Sequence, residues 1–445
     1  MSALLIQNAK LVNEGREFKA HLKIEGDRIA AIGSDLVPGP QDAVLDATGL
    51  HLLPGLIDDQ VHFREPGLTH KACIASESQA AVAGGITSYL EMPNTQPQTV
   101  TYEAYQDKLD RAKATSAANY GFLFGGTNDN VELIKGLDKK TVAGVKLFLG
   151  SSTGNMLVDK PQVLREIFSS TDLVIAAHCE DETTVKNNLK AHIAEYGDNI
   201  PMEKHPVIRS AEACYLSSSS AIALAKETGA RLHVFHLSTA IETEFFDNSI
   251  PLEKKKITAE VCTHHLWFSD AEYRTKGSLI KWNPAVKSAA DRDALWQALN
   301  DDRIDVLATD HAPHTLSEKQ NPYTKAPSGG PLVQHALPAL LTKVKEGKIT
   351  LAKMVEKACH NPALLFDVEK RGYLREGYFA DLVLVDCAAP FAVKKEDLLY
   401  QCQWSPFEGT TFSGSVHTTF VNGKKVYANG KVLEKNAGKA LTFDR

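Results

Sequence analysis

Gly55-Leu56-Ile57-Asp58-Asp59-Gln60-Val61-His62-Phe63-Arg64-Glu65-Pro66-Gly67 is the stretch from which the fold is read. An apolar run stops abruptly in polar residues and then in Pro-Gly, as a buried parallel strand does when its C-terminal end opens into a site. Residues two apart on a strand project to one side, so Asp58, Gln60, His62 and Arg64 are expected to share a face. Two imidazoles at that spacing converge on one cation. Here the first position of such a pair is Gln60, and only His62 supplies an imidazole.

Outward from this strand, apolar runs at 55–62, 86–92, 120–125, 144–149, 173–178, 232–236, 257–261 and 305–310 alternate with helical patterns such as 70–83, 102–114, 160–168, 211–227 and 291–299. Strands separated by helices predict a parallel sheet. Eight such units from residue 55 to about 370 predict a (β/α)8 TIM-type barrel, with an open doubly wound sheet as the alternative. The reactive side chains favour the barrel. His62, Lys146, His178, His236 and Asp310 each fall in or at the C-terminal end of a different strand, and in a barrel those ends form one rim.

Residues 1–54 and 371–445 have another texture, with short alternating runs and hairpin chemistry at Glu25-Gly26-Asp27-Arg28 and Asn422-Gly423. The two chain ends are expected to form the N- and C-terminal parts of one small β-sandwich domain, with residues 55–370 as the barrel. A chain of 445 residues has room for both. Its net charge of −6 comes with no basic stripe, which argues against nucleic acid and for a small-molecule substrate. No run of 18 apolar residues and no signal-like N-terminus occurs, so a soluble, cytoplasmic protein without a membrane partner is expected, compatible with a homo-oligomer. Seven scattered cysteines, none in Cys-x-x-Cys spacing, read as reduced core residues.

A single histidine after an apolar run is by default a hydrogen-bonded core or cap residue, and His233, His264, His265 and His360 are read that way. Lys146, inside an apolar strand, is different because a buried unpaired ammonium is costly. It requires a salt bridge, to Asp58 or Asp310, or a modification. Burial favours the neutral amine, which reacts with CO2 to give a carbamate, N6-carboxylysine, an anion able to bridge two divalent cations. Asp310, at the end of the last strand, is placed to face a metal and accept a proton from water. His314 follows on the loop within reach of substrate, while His311 is expected to point away and fix that loop.

These residues bring out a resemblance. The chain resembles the amidohydrolase superfamily, and within it the dihydroorotases of the long, two-domain type. The likeness rests on Asp58 through Gly67, Glu91-Met92-Pro93-Asn94-Thr95, Lys146 in its strand, His178-Cys179-Glu180, His233-Val234-Phe235-His236-Leu237-Ser238, Lys281-Trp282-Asn283-Pro284-Ala285 and Ala308-Thr309-Asp310-His311-Ala312-Pro313-His314. It implies one or two Zn2+ ions held by His62, His178, His236 and Asp310, with carbamylated Lys146 as the bridge. It also implies that Arg64, Asn94 and His314 hold a substrate carboxylate, that Asn283 meets the substrate ring, and that the loop 327–331 lies nearby.

The sequence departs from the pattern at Gln60, whose amide oxygen is a weaker zinc donor than imidazole, so the site shared with His62 and Asp310 is the weaker one. Lys287 stands where Arg is frequent and Gln334 where Glu is frequent. The implied activity is reversible interconversion of dihydroorotate plus water with N-carbamoyl aspartate, in pyrimidine biosynthesis. Two alternatives are a dihydropyrimidinase or hydantoinase, whose substrates lack the carboxylate, and a non-catalytic homologue acting as a scaffold.

Overall fold

Eight strands, β1 (Leu56–Val61), β2 (Ile86–Glu91), β3 (Asn119–Gly125), β4 (Gly144–Phe148), β5 (Ile175–His178), β6 (Leu232–Val234), β7 (Ile257–Cys262) and β8 (Val306–Ala308), pair in sequence order in one parallel sheet. They are seen in a computed structural model that describes residues 3–150 and 156–445. A parallel bridge from Val61 to His311 joins the last strand's extension to the first, and the His62 amide donates to the His311 carbonyl at 2.7 Å. The expected (β/α)8 barrel is therefore present. β6 and β8 each stop two residues before His236 and Asp310, the residues expected to end those strands. Both residues adopt left-handed backbone (φ 41° and 49°), which breaks the ladder and turns the side chains off the wall.

One strand-face expectation is corrected. The register of β1 against β2 is irregular between Asp58 and Val61, so period-2 alternation does not hold across it. Asp58 turns toward β8, where its carboxylate accepts from the Thr309 hydroxyl (2.6 Å) and amide (3.2 Å). It does not share the face of Gln60, His62 and Arg64.

The barrel interior is packed. Ile57, Leu90, Leu123, Ala176, Phe235 and Val306 form one buried cluster with Phe366. Helices Tyr102–Thr115 and Ala211–Thr228 lie where helical periodicity placed them, each N-capped by a hydroxyl, Thr101 to the Ala104 amide and Ser210 to the Ala213 amide, both 3.3 Å.

Strands from both chain ends form a nine-stranded sheet, joined where Leu53 pairs antiparallel with Val383. Ile6, Leu11, Leu22, Ile29, Leu52, Leu382 and Phe420 make its own apolar cluster. Both predicted hairpin turns are found, and they touch. A Cβ on Gly423 (φ 76°) would run into the carbonyl of Gly26, so glycine is required there. Buried Asn422 ties this sheet to the barrel, its amide donating to Asn119 of β3 at 2.7 Å. All seven cysteines are free thiols, and among the described residues no helix is long and apolar enough to cross a membrane.

Candidate active site

A cavity of about 630 Å3 opens at the C-terminal ends of the barrel strands. It brings together Gln60, His62, Arg64, Asn94, Lys146, His178, His236, Asn283, Asp310 and His314, every residue singled out in the sequence as a ligand or substrate contact. Pro327, Ser328 and Gly329 close one side. Lys319 fixes that loop, its buried ammonium donating to the carbonyls of Pro327 and Gly329, both at 2.8 Å.

At the floor, imidazole lone pairs face other acceptors. Asn94 Oδ1 takes the His62 Nδ1 proton at 2.8 Å, leaving the His62 Nε2 lone pair 3.2 Å from Asp310 Oδ1. His178 Nε2 donates to Glu180 at 2.9 Å, so its Nδ1 lone pair points at His236 Nε2, 3.0 Å away. At most one proton lies between those two nitrogens, and His236 Nδ1, which has no partner among the described residues, can carry it instead. Burial holds all three imidazoles below their usual range, hence neutral. The buried Lys146 amine also lacks a hydrogen-bond partner among the described residues and lies 4.2 Å from the Phe235 ring centroid and 4.9 Å from that of Phe148. Burial, against the opposing pull of Glu260 and Asp310, brings it down to about 7. Neither salt bridge considered for it forms. Neutral imidazoles, a carboxylate and an unpaired amine converging in this way fit a divalent cation.

The other end of the cavity suits an anion. Arg64 is 7% exposed, and no carboxylate forms an ion pair with it among the described residues. Its Nε donates to the Pro313 carbonyl at 3.0 Å, while Nη2 lies 3.1 Å from His314 Nε2. Lys71 approaches the other ring nitrogen, Nδ1, at 3.0 Å. Burial and the neighbouring cations push the His314 pKa well down, and a neutral imidazole has a single lone pair. The Ser328 carbonyl, 3.0 Å from Nε2, takes the ring proton, so the lone pair lies on Nδ1 and is filled by Lys71, which also pairs with Glu318 at 3.1 Å. Arg64 Nη2 faces an N–H and is left for something negative in the cavity. Asn283 Oδ1, buried and without a partner among the described residues, is an available acceptor beside them.

His311 behaves as expected, turned away from the cavity to Glu77 (2.8 Å) and accepting the Leu332 amide (2.9 Å). His360 is structural, with Nδ1 on the Gly372 carbonyl at 2.6 Å. Gln334 serves the backbone at Asp397 and Leu399, and Lys287 reaches Ser238 and the Ala285 carbonyl.

Several supporting charges escaped the sequence reading. Glu91 and Lys108 form a fully buried pair at 2.6 Å, and Glu91 also accepts the Phe63 amide, fixing the chain between His62 and Arg64. Glu180 is held well below the usual carboxylate range because Arg209 and His178 outweigh its burial. Their signal was available: Glu91 ends an apolar strand and Glu180 follows His178 by two residues. Asp59, His233 and Glu260 form a further buried cluster, each offering a ligand atom within 4.8 Å of the others.

Residues 51–426 match the model of the Amidohydrolase family. A dihydroorotase of Halobacterium salinarum is 35% identical over 87% of this chain and 89% of its own. One from Methanosphaera stadtmanae is 30% identical over 98% of each. Among solved structures, an L-hydantoinase (dihydropyrimidinase) from Arthrobacter aurescens superposes with a TM-score of 0.94 at 28% identity, covering 99% of this chain and all of that one.

Proposed function

Because the chain belongs to the amidohydrolase family, we propose that it is a cyclic-amide hydrolase acting as a dihydroorotase, interconverting dihydroorotate plus water with N-carbamoyl aspartate in pyrimidine synthesis. The observation that carries this reading is Arg64, a buried guanidinium facing the cavity without an acidic partner among the described residues. Such a charge is costly unless a ligand pairs it, and a planar fork suits a carboxylate held bidentately.

His62, His178, His236, Asp310 and a carbamate on Lys146 would hold zinc, which supplies water of lowered pKa and polarises a ring carbonyl. The carbamate forms when the Lys146 amine adds to CO2 and releases a proton. Arg64, Asn94 and His314 hold the substrate carboxylate and so set which ring carbonyl lies over Asp310. Asn283 accepts a ring N–H with its free Oδ1. Asp310 takes the proton from the attacking water and delivers it to the departing ring nitrogen. The C–N bond breaks, and the product carries a new carboxylate and a ureido group.

The alternative ring hydrolase, a dihydropyrimidinase or hydantoinase, draws support from the fold shared with the Arthrobacter aurescens enzyme. Substrates without a carboxylate would leave Arg64 unpaired, which disfavours it.

Ring closure turns a dianion and a proton into a monoanion and water, so lower pH favours the cyclic product. The test is conversion from both sides by purified protein, with Asp310→Asn as control. Closure of N-carbamoyl aspartate near pH 6 and opening of dihydroorotate near pH 8, both abolished in a folded Asp310→Asn protein, are expected. Absence of either conversion in metal-loaded protein contradicts the proposal.

A further inference from the structure

Asp59 of β1, His233 of β6 and Glu260 of β7 are fully buried and have no role in the reaction proposed above. His233 Nε2 lies 3.2 Å from Asp59 Oδ2. The direction of that nitrogen is set from behind. Thr258 spends its hydroxyl hydrogen on the Leu232 carbonyl (3.3 Å) and therefore accepts the His233 Nδ1 proton at 2.8 Å. With Nδ1 carrying the ring's proton, Nε2 is the position that offers a lone pair toward Asp59. This is how a metal-binding histidine is oriented by a partner behind it.

The carboxylates are equally short of donors. Neither oxygen of Asp59 has a hydrogen-bond partner among the described residues, nor does Oε2 of Glu260. Glu260 Oε1 is occupied by the His236 amide (2.9 Å) and the Cys262 thiol (3.2 Å), which leaves Oε2 for the cluster. Two buried acids and an imidazole nitrogen thus converge, and among the described residues no Lys or Arg nitrogen makes ion-pair contact with either acid, Lys146 acting on Glu260 only at longer range.

We propose that Asp59, His233 and Glu260 bind a divalent first-row cation, of the Zn2+ or Mn2+ type, as a structural ion separate from any metal in the cavity. The cation's two charges balance the two carboxylates, removing the cost of burying them. Bonds of about 2.0–2.2 Å at tetrahedral angles put ligand atoms roughly 3.3–3.6 Å apart. The 3.2 Å separation of His233 and Asp59, within a cluster no wider than 4.8 Å, is close to that spacing. One nitrogen and two carboxylate oxygens suit these metals, not a soft ion.

The test uses the full-length protein, stripped with chelator and reloaded with Zn2+. Anomalous diffraction at the zinc edge should show a peak about 2.0–2.2 Å from the three ligand atoms, separate from density in the cavity. Metal analysis should show Asp59→Asn and Glu260→Gln each binding one Zn2+ fewer per chain than wild type. His178→Ala should lose cavity metal but keep the peak at Asp59. If a variant does not fold, the wild-type diffraction decides. No peak among the three residues in zinc-saturated crystals, or unchanged stoichiometry in a folded Asp59→Asn protein, overturns the proposal.

Discussion

Glu180 and His178 are bonded at 2.9 Å, carboxylate oxygen to Nε2, and this contact turns the other ring nitrogen of His178 toward His236. Glu180 does not line the cavity, yet it sets which nitrogen of His178 keeps a lone pair.

Glu180→Gln removes the charge while preserving the shape. A neutral amide holds the ring proton less strongly, and outer partners of this kind typically contribute about 10–100-fold to metal affinity. Zinc competition with a chelator is expected to show a loss of that size, with far-UV circular dichroism unchanged. Equal affinity in wild type and variant would mean that Glu180 does not orient a ligand.

Lys146→Ala takes away the amine that would carry the carbamate. Metal content and turnover should fall together, and a short carboxylic acid in solution should restore part of both by occupying the vacated space. Gln60→His should leave that deficit absent and instead tighten the neighbouring metal position, because imidazole is the better zinc donor. The readout is the order in which metals leave during chelation. Full metal content in Lys146→Ala would exclude the carbamate role.

Lys281 carries a pH prediction. Its ammonium donates to the carbonyls of Tyr323 (2.7 Å) and Ala326 (2.5 Å), and burial, assisted by Arg209, lowers its pKa to about 7. In the unfolded chain the value returns to roughly 10.4. Below pH 7 both states hold the proton. From about pH 7 to 10 the unfolded chain binds the proton that the folded one has released, so this residue makes stability rise with pH in that window. The urea midpoint of wild type relative to Lys281→Met should increase from pH 7 to 9.5. A flat or falling difference would show that Lys281 stays charged in the folded protein.

Much of this was legible in the sequence because strand and rim chemistry coincide. The apolar runs marked eight strands in order, and the reactive residues in or at the ends of five of them, His62, Lys146, His178, His236 and Asp310, marked the rim. Asp58 was misplaced because alternation assumes a regular strand, and the irregularity beyond it depends on pairing with β2. Lys146 was flagged by the cost of its burial, a property a sequence exposes. The Glu91–Lys108 pair and the Asp59–His233–Glu260 cluster were not, since each needs partners brought from separate strands or helices. His233 looked like one more core histidine, and only the fold places Asp59 and the unbonded Oε2 of Glu260 against it.

The central claim is that Arg64 awaits a substrate carboxylate, and the most direct measurement compares kcat/KM for dihydroorotate and for dihydrouracil, which differ by that group. A site built around a buried polar contact rejects an analogue lacking its partner by about 10^4-fold. Wild type is predicted to prefer dihydroorotate by that order, and Arg64→Met to lose most of the preference through a raised KM while retaining its metal. Comparable turnover of both substrates by wild type, or an undiminished preference in Arg64→Met, would contradict the account.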